Sequence, residues 1–390
     1  MKILMINDYG YNVGGVETYL VDLKKTLEKK GNVVKILSSS LNIVNNKNNF
    51  SDYTYSLINQ KSHLRIFPYI WNRSALQTLN KILEEFKPDI VHLHFIFYHT
   101  SPSVLWGLRK IPTIYTVHAH EVLSPMGINK TSRCKHPEEQ YCIHCIGIVK
   151  FIPEKIKRKL FLFLSKNVDL YISPSKHHYK LLNKYKFSPA THLYNGFQLL
   201  YPSPIKKGNH LLYVGRLAKD KGVSYAIMAM LEILIKIPTA SLIIVGTGPE
   251  ETSLKKLVKD LNLENNVKFI GHINNDEIAY YYKNAQIVVV PSIYPDNLPT
   301  VCIEAMSVGR PIIGSDFGGI PELIDNRSTG YIIPPFSSKA IAKKAIELLE
   351  NRKLLEAMGE NARKKSELYS IEKHADKIEK IYLELLKIKS

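Results

Sequence analysis

The sequence predicts an α/β protein made of two doubly wound domains, and three observations carry that prediction. Its 390 residues exceed what one hydrophobic core ordinarily supports. Short β-rich apolar runs alternate with amphipathic stretches of helical period along the whole length, the pattern of parallel sheets covered by helices on both faces. That alternation is broken by Tyr201-Pro202-Ser203-Pro204 and Lys206-Lys207-Gly208-Asn209, which read as a domain linker. The domains are therefore 1–200 and 201–370, with 371–390 spaced as a helix that packs back on the first.

The first strand is expected at 2–6. It meets Asn7-Asp8 too soon to be a signal-peptide core and lacks a small-residue cleavage site, so it reads as a buried strand of a cytoplasmic protein. A helix follows with Val16, Tyr19, Leu20, Leu23 and Leu27 on one face and Gly31 as its stop. Further strands are expected at 33–37, 90–93, 113–117 and 170–172, and 41–55, containing the asparagine-rich 45–49, reads as a polar loop. The second domain restarts with strands at 210–214, 241–245, 267–270, 287–290, 311–314 and 331–333, each followed by a helical stretch. The longest apolar runs, such as 160–164 and 287–290, fall far short of a membrane span.

Composition narrows the class. Hydrophobic residues at 45%, charged residues at 23% and 20 each of Gly and Pro exclude collagenous, coiled-coil and mainly disordered chains. The net charge is +18 and uneven: residues 1–200 carry 27 Lys+Arg against 13 Asp+Glu, or +14, and 201–390 carry 26 against 22, or +4. Such a basic half suits nucleic acid, an anionic membrane or a phosphorylated substrate. Without zinc-finger spacing, an arginine-rich arm or ribonucleoprotein aromatics, no nucleic-acid partner is expected. The stretch 150–164 is basic and amphipathic. Either Lys155, Lys157, Arg158 and Lys159 form a face toward an anionic membrane, or Ile156, Leu160, Phe163 and Leu164 are core and the cations are merely solvated.

Open α/β sheets bind ligands beyond the carboxyl ends of their strands, so the loops there hold the candidates. After the first strand, Gly14-Gly15-Val16-Glu17 opens a helix. Paired glycines at that place offer backbone N–H groups to an anion, or form an ordinary tight turn. The loop Gly215-Arg216-Leu217-Ala218-Lys219-Asp220-Lys221-Gly222 sets Arg216 and Lys221 five positions apart. They can neutralise a departing diphosphate, or simply decorate a turn. A third loop runs from Pro291-Ser292 through Asp296-Asn297-Leu298-Pro299-Thr300 to Glu304-Ala305-Met306. Asp296 and Glu304 are two acids able to serve one cleft, in acid/base chemistry or as acceptors for sugar hydroxyls.

These motifs resemble the retaining GT-B glycosyltransferases of glycosyltransferase family four. The family's Glu-x7-Glu context is matched by Pro291-Ser292, Asp296, Pro299, Glu304-Ala305-Met306, Gly309, Pro311, Gly318-Gly319 and Glu322. The resemblance extends to Gly14-Gly15-Val16-Glu17, Thr116-Val117-His118, Tyr194-Asn195-Gly196, Gly215-Arg216-Leu217 with Lys221-Gly222, Gly246-Thr247-Gly248-Pro249 and Val267-Lys268-Phe269-Ile270-Gly271. It departs at Asp296, one methylene shorter than the family's usual Glu.

The resemblance implies a GT-B fold, two Rossmann-like domains facing a central cleft. It implies transfer of a hexose from a UDP- or GDP-sugar to a hydroxyl acceptor, saccharide or lipid-linked, with retention of configuration and no metal or other cofactor. By the same resemblance, Asp296 and the backbone N–H groups of Asn297, Leu298 and Thr300 hold the donor sugar and phosphate. Glu304 binds the ribose, Arg216 and Lys221 the diphosphate, and 267–270, ending at Ile270, the base. Gly246 lies in the donor loops, Gly14 and Gly15 admit the phosphate, and His118 lies beside the reacting carbon. Surface polysaccharide or glycolipid synthesis, in the cytoplasm or peripherally on the inner face of the membrane, is the role that follows. A nucleotide-sugar epimerase or a glucosyl phosphorylase is the rival within the fold, and a non-catalytic polyanion-binding protein the rival outside it.

Three features remain open. His120 reads as a loop histidine, and His92 and His94 as core or cleft. Cys134, Cys142 and Cys145, with His136 and His144 interleaved, could hold a structural zinc, although the spacing fits no standard finger; free thiols in a loop insertion are the alternative.

Overall fold

A computed structural model describes residues 1–41, 49–56, 69–118, 120, 148–273 and 275–389. The chain divides into two compact units, Met1–Gly196 with Ile371–Ser390, and Phe197–Ser370.

The first unit is a seven-stranded parallel sheet, ordered β3-β2-β1-β4-β5-β6-β7. Its strands are β1 (Lys2–Asn7), β2 (Val33–Ser39), β3 (Tyr53–Tyr55), β4 (Ile90–Phe95), β5 (Thr113–Thr116), β6 (Leu170–Ser173) and β7 (Ala190–His192). Ile3, Leu4, Met5 and Ile6 are all fully buried, as both-faced burial requires of a central parallel strand. The helix Gly15–Lys29 buries Tyr19, Leu20, Leu23 and Leu27. The helix Ile371–Lys389 lies along it and buries Ile371, Ala375, Ile378 and Tyr382.

The second unit is a six-stranded parallel sheet, β10-β9-β8-β11-β12-β13. It is made of β8 (His210–Val214), β9 (Ser241–Val245), β10 (Val267–Gly271), β11 (Ile287–Val290), β12 (Ile312–Ser315) and β13 (Gly330–Ile333). In both units the strand order reverses once, between β1 and β4 and between β8 and β11. At such a switch point the flanking loops diverge and leave a crevice.

The structure corrects three expectations. Tyr53–Tyr55, read as part of a polar loop, is edge strand β3, and β7 is a strand the sequence reading omitted. Both have three residues, too short to show an alternation. In the helix Ile148–Leu164, Lys157 and Arg158 are buried rather than turned to a membrane or to solvent, whereas Ile156 and Phe163, read as core, are exposed. Lys157 donates to the Phe97 carbonyl and its ammonium lies 3.4 Å from the Tyr69 ring centroid, so carbonyl and rings take the place of water.

Candidate active site

The second unit's switch point is built from backbone pressed on backbone. Leu217 N–H donates to the Thr247 carbonyl (2.9 Å) and Gly246 N–H to that of Gly271 (2.8 Å), which joins the loops after β8, β9 and β10. A Cβ on Gly246 would run into the Gly215 carbonyl, so this glycine serves close packing of the loops. Gly222, at φ +65, starts the helix Val223–Lys236 with its α-carbon against the Pro291 carbonyl. Ile293 N–H donates to the Asp220 carbonyl at 2.9 Å. Those two contacts hold the Lys219–Lys221 turn against the loop after β11.

The result is a polar cluster from two strand ends. Lys221 Nζ is ion-paired to Asp296, and the other Asp296 oxygen accepts from the Ser292 hydroxyl at 2.6 Å. The Asp296 carbonyl accepts from Gly319 N–H at 2.7 Å, so carboxylate and backbone are both fixed. Arg216 reaches into solvent and lies 3.6 Å from Asp220. Asn297 and Leu298 follow in the same loop, and Thr300 opens the helix Thr300–Ser307, which has no side-chain cap at its N-terminus.

Glu304 sits one turn into that helix. Its carboxylate accepts from the hydroxyl of fully buried Tyr282 at 2.6 Å, while part of its own surface stays accessible. Burial raises the Glu304 pKa above the ordinary 4.5, and the Tyr282 hydrogen bond offsets this in part. Burial beside that carboxylate also raises the Tyr282 phenol. Ile270 is partly exposed at the carboxyl end of β10. Ser292 and Tyr282 are the partners whose roles sequence reasoning missed. Ser292 stood inside a recognised motif, but nothing around Tyr282 signalled a site.

In the first unit the Asp8 carboxylate spans the switch point. It accepts from the N–H groups of Tyr98 (2.6 Å), His99 (3.1 Å) and Thr100 (2.7 Å), pinning the loop after β4 to that after β1. Gly14 caps the helix Gly15–Lys29 in an extended conformation, and a Cβ there would meet nothing within 4 Å. The space is open rather than filled by packing.

His118 is buried between two partners. Its Nδ1 faces Asn195 Nδ2 at 3.2 Å and its Nε2 faces His94 Nδ1 at 3.1 Å. With Asn195 donating, Nδ1 is the acceptor and Nε2 carries the proton. Burial, then the nearby His374, lowers its pKa to about 3, so the ring is neutral at ordinary pH. His94 Nε2 and Asn195 Oδ1 are buried without a hydrogen-bond partner among the described residues. His92 is core, bonded to Tyr382 (2.6 Å) and Thr116 (2.7 Å), and His120 is buried with its ring against His178. Cys134, Cys142 and Cys145, with His136 and His144, lie outside the described residues.

Two family models match this chain in succession: Glycosyltransferase Family 4 over residues 13–199 and Glycosyl transferases group 1 over 202–365. Alpha-D-kanosaminyltransferase of Streptomyces kanamyceticus is 34% identical over 176 residues, which is 45% of either chain. N-acetyl-alpha-D-glucosaminyl L-malate synthase of Bacillus anthracis is 25% identical over 96% of this chain and 95% of its own. Among solved structures, HepE of Anabaena in complex with UDP-glucose superposes with a TM-score of 0.70 at 19% identity, covering 98% of this chain and 99% of that one. With both halves matched in order by these models and two parallel α/β units of the corresponding fold, the chain belongs to glycosyltransferase family 4 and is a GT-B glycosyltransferase.

Proposed function

We propose that the protein is a retaining, metal-independent hexosyltransferase that uses a UDP- or GDP-sugar and acts on a hydroxyl acceptor in surface polysaccharide or glycolipid synthesis. The observation that carries this reading is the Lys221–Asp296–Ser292 cluster at the β8/β11 switch point, with Arg216 beside it and Glu304 on the adjoining helix. A nucleotide diphosphate brings two phosphates, a ribose with vicinal hydroxyls and a sugar. Arg216 and Lys221 answer the phosphates, Glu304 the ribose, and Asp296 the hydroxyls of the sugar. UDP-glucose bound to the HepE structure supports a nucleotide-sugar donor.

In the proposed step the bond from the sugar's anomeric carbon to the phosphate oxygen breaks as the acceptor oxygen attacks from the same face. The acceptor proton passes to the departing phosphate oxygen, which serves as base. Arg216 and Lys221 stabilise the charge that grows on the diphosphate, and so supply what a divalent cation would otherwise supply. His118, its Nδ1 taken by Asn195 and its Nε2 proton facing His94, is neutral and does not serve as an acid.

The reading places the protein in the cytoplasm, at the inner membrane face where the acceptor is lipid-linked. No helix among the described residues is long and apolar enough to cross a membrane. A panel of UDP- and GDP-sugars tested for thermal stabilisation and slow donor hydrolysis, with and without chelator, checks it. One donor should stabilise and turn over in chelator, with the α- or β-configuration kept in the product. An inverted product, or a rate restored only by magnesium, would overturn the corresponding part.

A further inference from the structure

The helix Ile148–Leu164, continued by the turn Ser165–Asn167, shows solvent an unusual face. Residues 152, 155, 156, 159, 162, 163 and 166 are exposed, and their steps of three and four draw one stripe about 120° wide. Four are large and apolar: Ile152 is 55% exposed, Ile156 49%, Leu162 40% and Phe163 63%. The other three are Lys155, Lys159 and Lys166. The stripe holds no acid, for Glu154, on the opposite side of the helix, accepts from the Tyr69 hydroxyl. A helix that merely covers a core turns its charges outward and its Ile and Phe inward. This one buries Lys157 and Arg158 and leaves Phe163 in water.

The surroundings continue the chemistry. Asn167 Nδ2 donates to the Leu105 carbonyl at 2.8 Å, tying the turn to the helix Ser103–Gly107. There Trp106 is 41% exposed, with the Arg109 guanidinium 3.8 Å above its ring. An indole beside a cation is suited to the boundary between headgroups and acyl chains.

We propose that this stripe docks the first unit on an anionic bilayer. The helix lies in the membrane plane, the four apolar side chains enter the acyl boundary, and the three lysines reach lipid phosphates. The proposal deepens the reading of a membrane-borne acceptor given above and rests on it for its purpose, although docking itself needs no transfer. Co-sedimentation with phosphatidylcholine vesicles, with and without phosphatidylglycerol, tests it on the full chain. Binding should require phosphatidylglycerol and fade with salt. Lys155→Gln, Lys159→Gln and Lys166→Gln together should reduce it on the order of a hundredfold, about fivefold per cation. Phe163→Ser should reduce it roughly tenfold or more without altering the salt dependence. Donor hydrolysis should be unchanged in all variants. Vesicle binding without any hexosyl transfer would keep the docking face and remove the proposed function; transfer without vesicle binding would do the reverse. The docking proposal is overturned by absence of binding at low salt, by equal binding to neutral vesicles, or by self-association in sedimentation that the same substitutions abolish.

Discussion

Lys221 and Asp296 stand 75 positions apart, and each stood out in the sequence as a candidate for the donor site because its own loop follows a strand. Their pairing with each other was not, since it depends on Gly222 packing on Pro291 and on the Ile293–Asp220 hydrogen bond. That pairing sharpens what substitution should do. On the proposed reading, Lys221→Ala removes a charge-assisted partner of the diphosphate, about 1.5–3 kcal/mol, so donor affinity should fall roughly tenfold to a hundredfold in a calorimetric titration. Asp296→Glu keeps a charge for Lys221 and should retain activity; Asp296→Ala leaves the ammonium unpaired and should lose most of it. Full turnover in the alanine variant would place the sugar's acceptor elsewhere.

Glu304 was legible too, but its phenol partner was not, because Tyr282 belongs to a helix without a motif. A carboxyl raised by burial favours its protonated form, so its contribution to stability is greatest at low pH and is lost as pH rises from 4.5 through its higher folded value. Ribose hydroxyls, as donors, prefer the ionised form. Donor affinity should therefore climb with pH across that window, and Glu304→Gln should flatten the rise. An unaltered pH profile in the glutamine variant would detach Glu304 from the ribose.

At the scale of elements, the strands inside both sheets were legible because burial on two faces gives an uninterrupted apolar run, as in Ile287–Val290. Edge strands such as Tyr53–Tyr55 carry no such run. The helix Ile148–Leu164 misled for another reason: apolar residues occur around most of its circumference, and period alone does not say which arc faces inward. Arg310 gave no signal of its role either. It is fully buried and spends its donors on carbonyls, among them Tyr282 (3.0 Å), Ser203 (2.8 Å) and Lys283 (2.9 Å), tying the segment after Phe197 to two helix ends. Arg310→Ala would strand those acceptors and should cost about 3–5 kcal/mol, read as a drop in the urea midpoint. A midpoint unchanged within error would show the carbonyls satisfied by water.

For the whole molecule, the buried imidazoles are unevenly shared. His92, His94, His118, His178 and His374 all belong to the first unit, and burial holds each pKa below 6.5, that of His374 at about 4. As pH falls below 6.5 the unfolded chain takes up protons that the folded unit refuses. Stability is therefore lost from 6.5 downward, on the order of 1 kcal/mol per pH unit for each ring. The second unit's histidines, His210 and His272, are not buried. Acid should thus unfold the first unit ahead of the second. Both tryptophans, Trp71 and Trp106, lie in the first unit, so their emission should shift before far-ultraviolet dichroism is fully lost; a single coincident transition would refute the sequence of events.

The chain leaves the first unit at Gly196 and returns to it at Ile371, while Phe197 N–H donates to the Tyr369 carbonyl at 2.8 Å, so the second unit begins and ends at one spot. On the ribosome that arrangement inverts the order of completion. Residues 1–196 emerge first, yet the hydroxyl of Tyr19 waits for His374 and the imidazole of His92 for Tyr382, more than 170 residues of translation later. The later half can close on itself as soon as it clears the exit tunnel. The earlier half stays one helix short throughout that interval, and there a chaperone would find the nascent protein open.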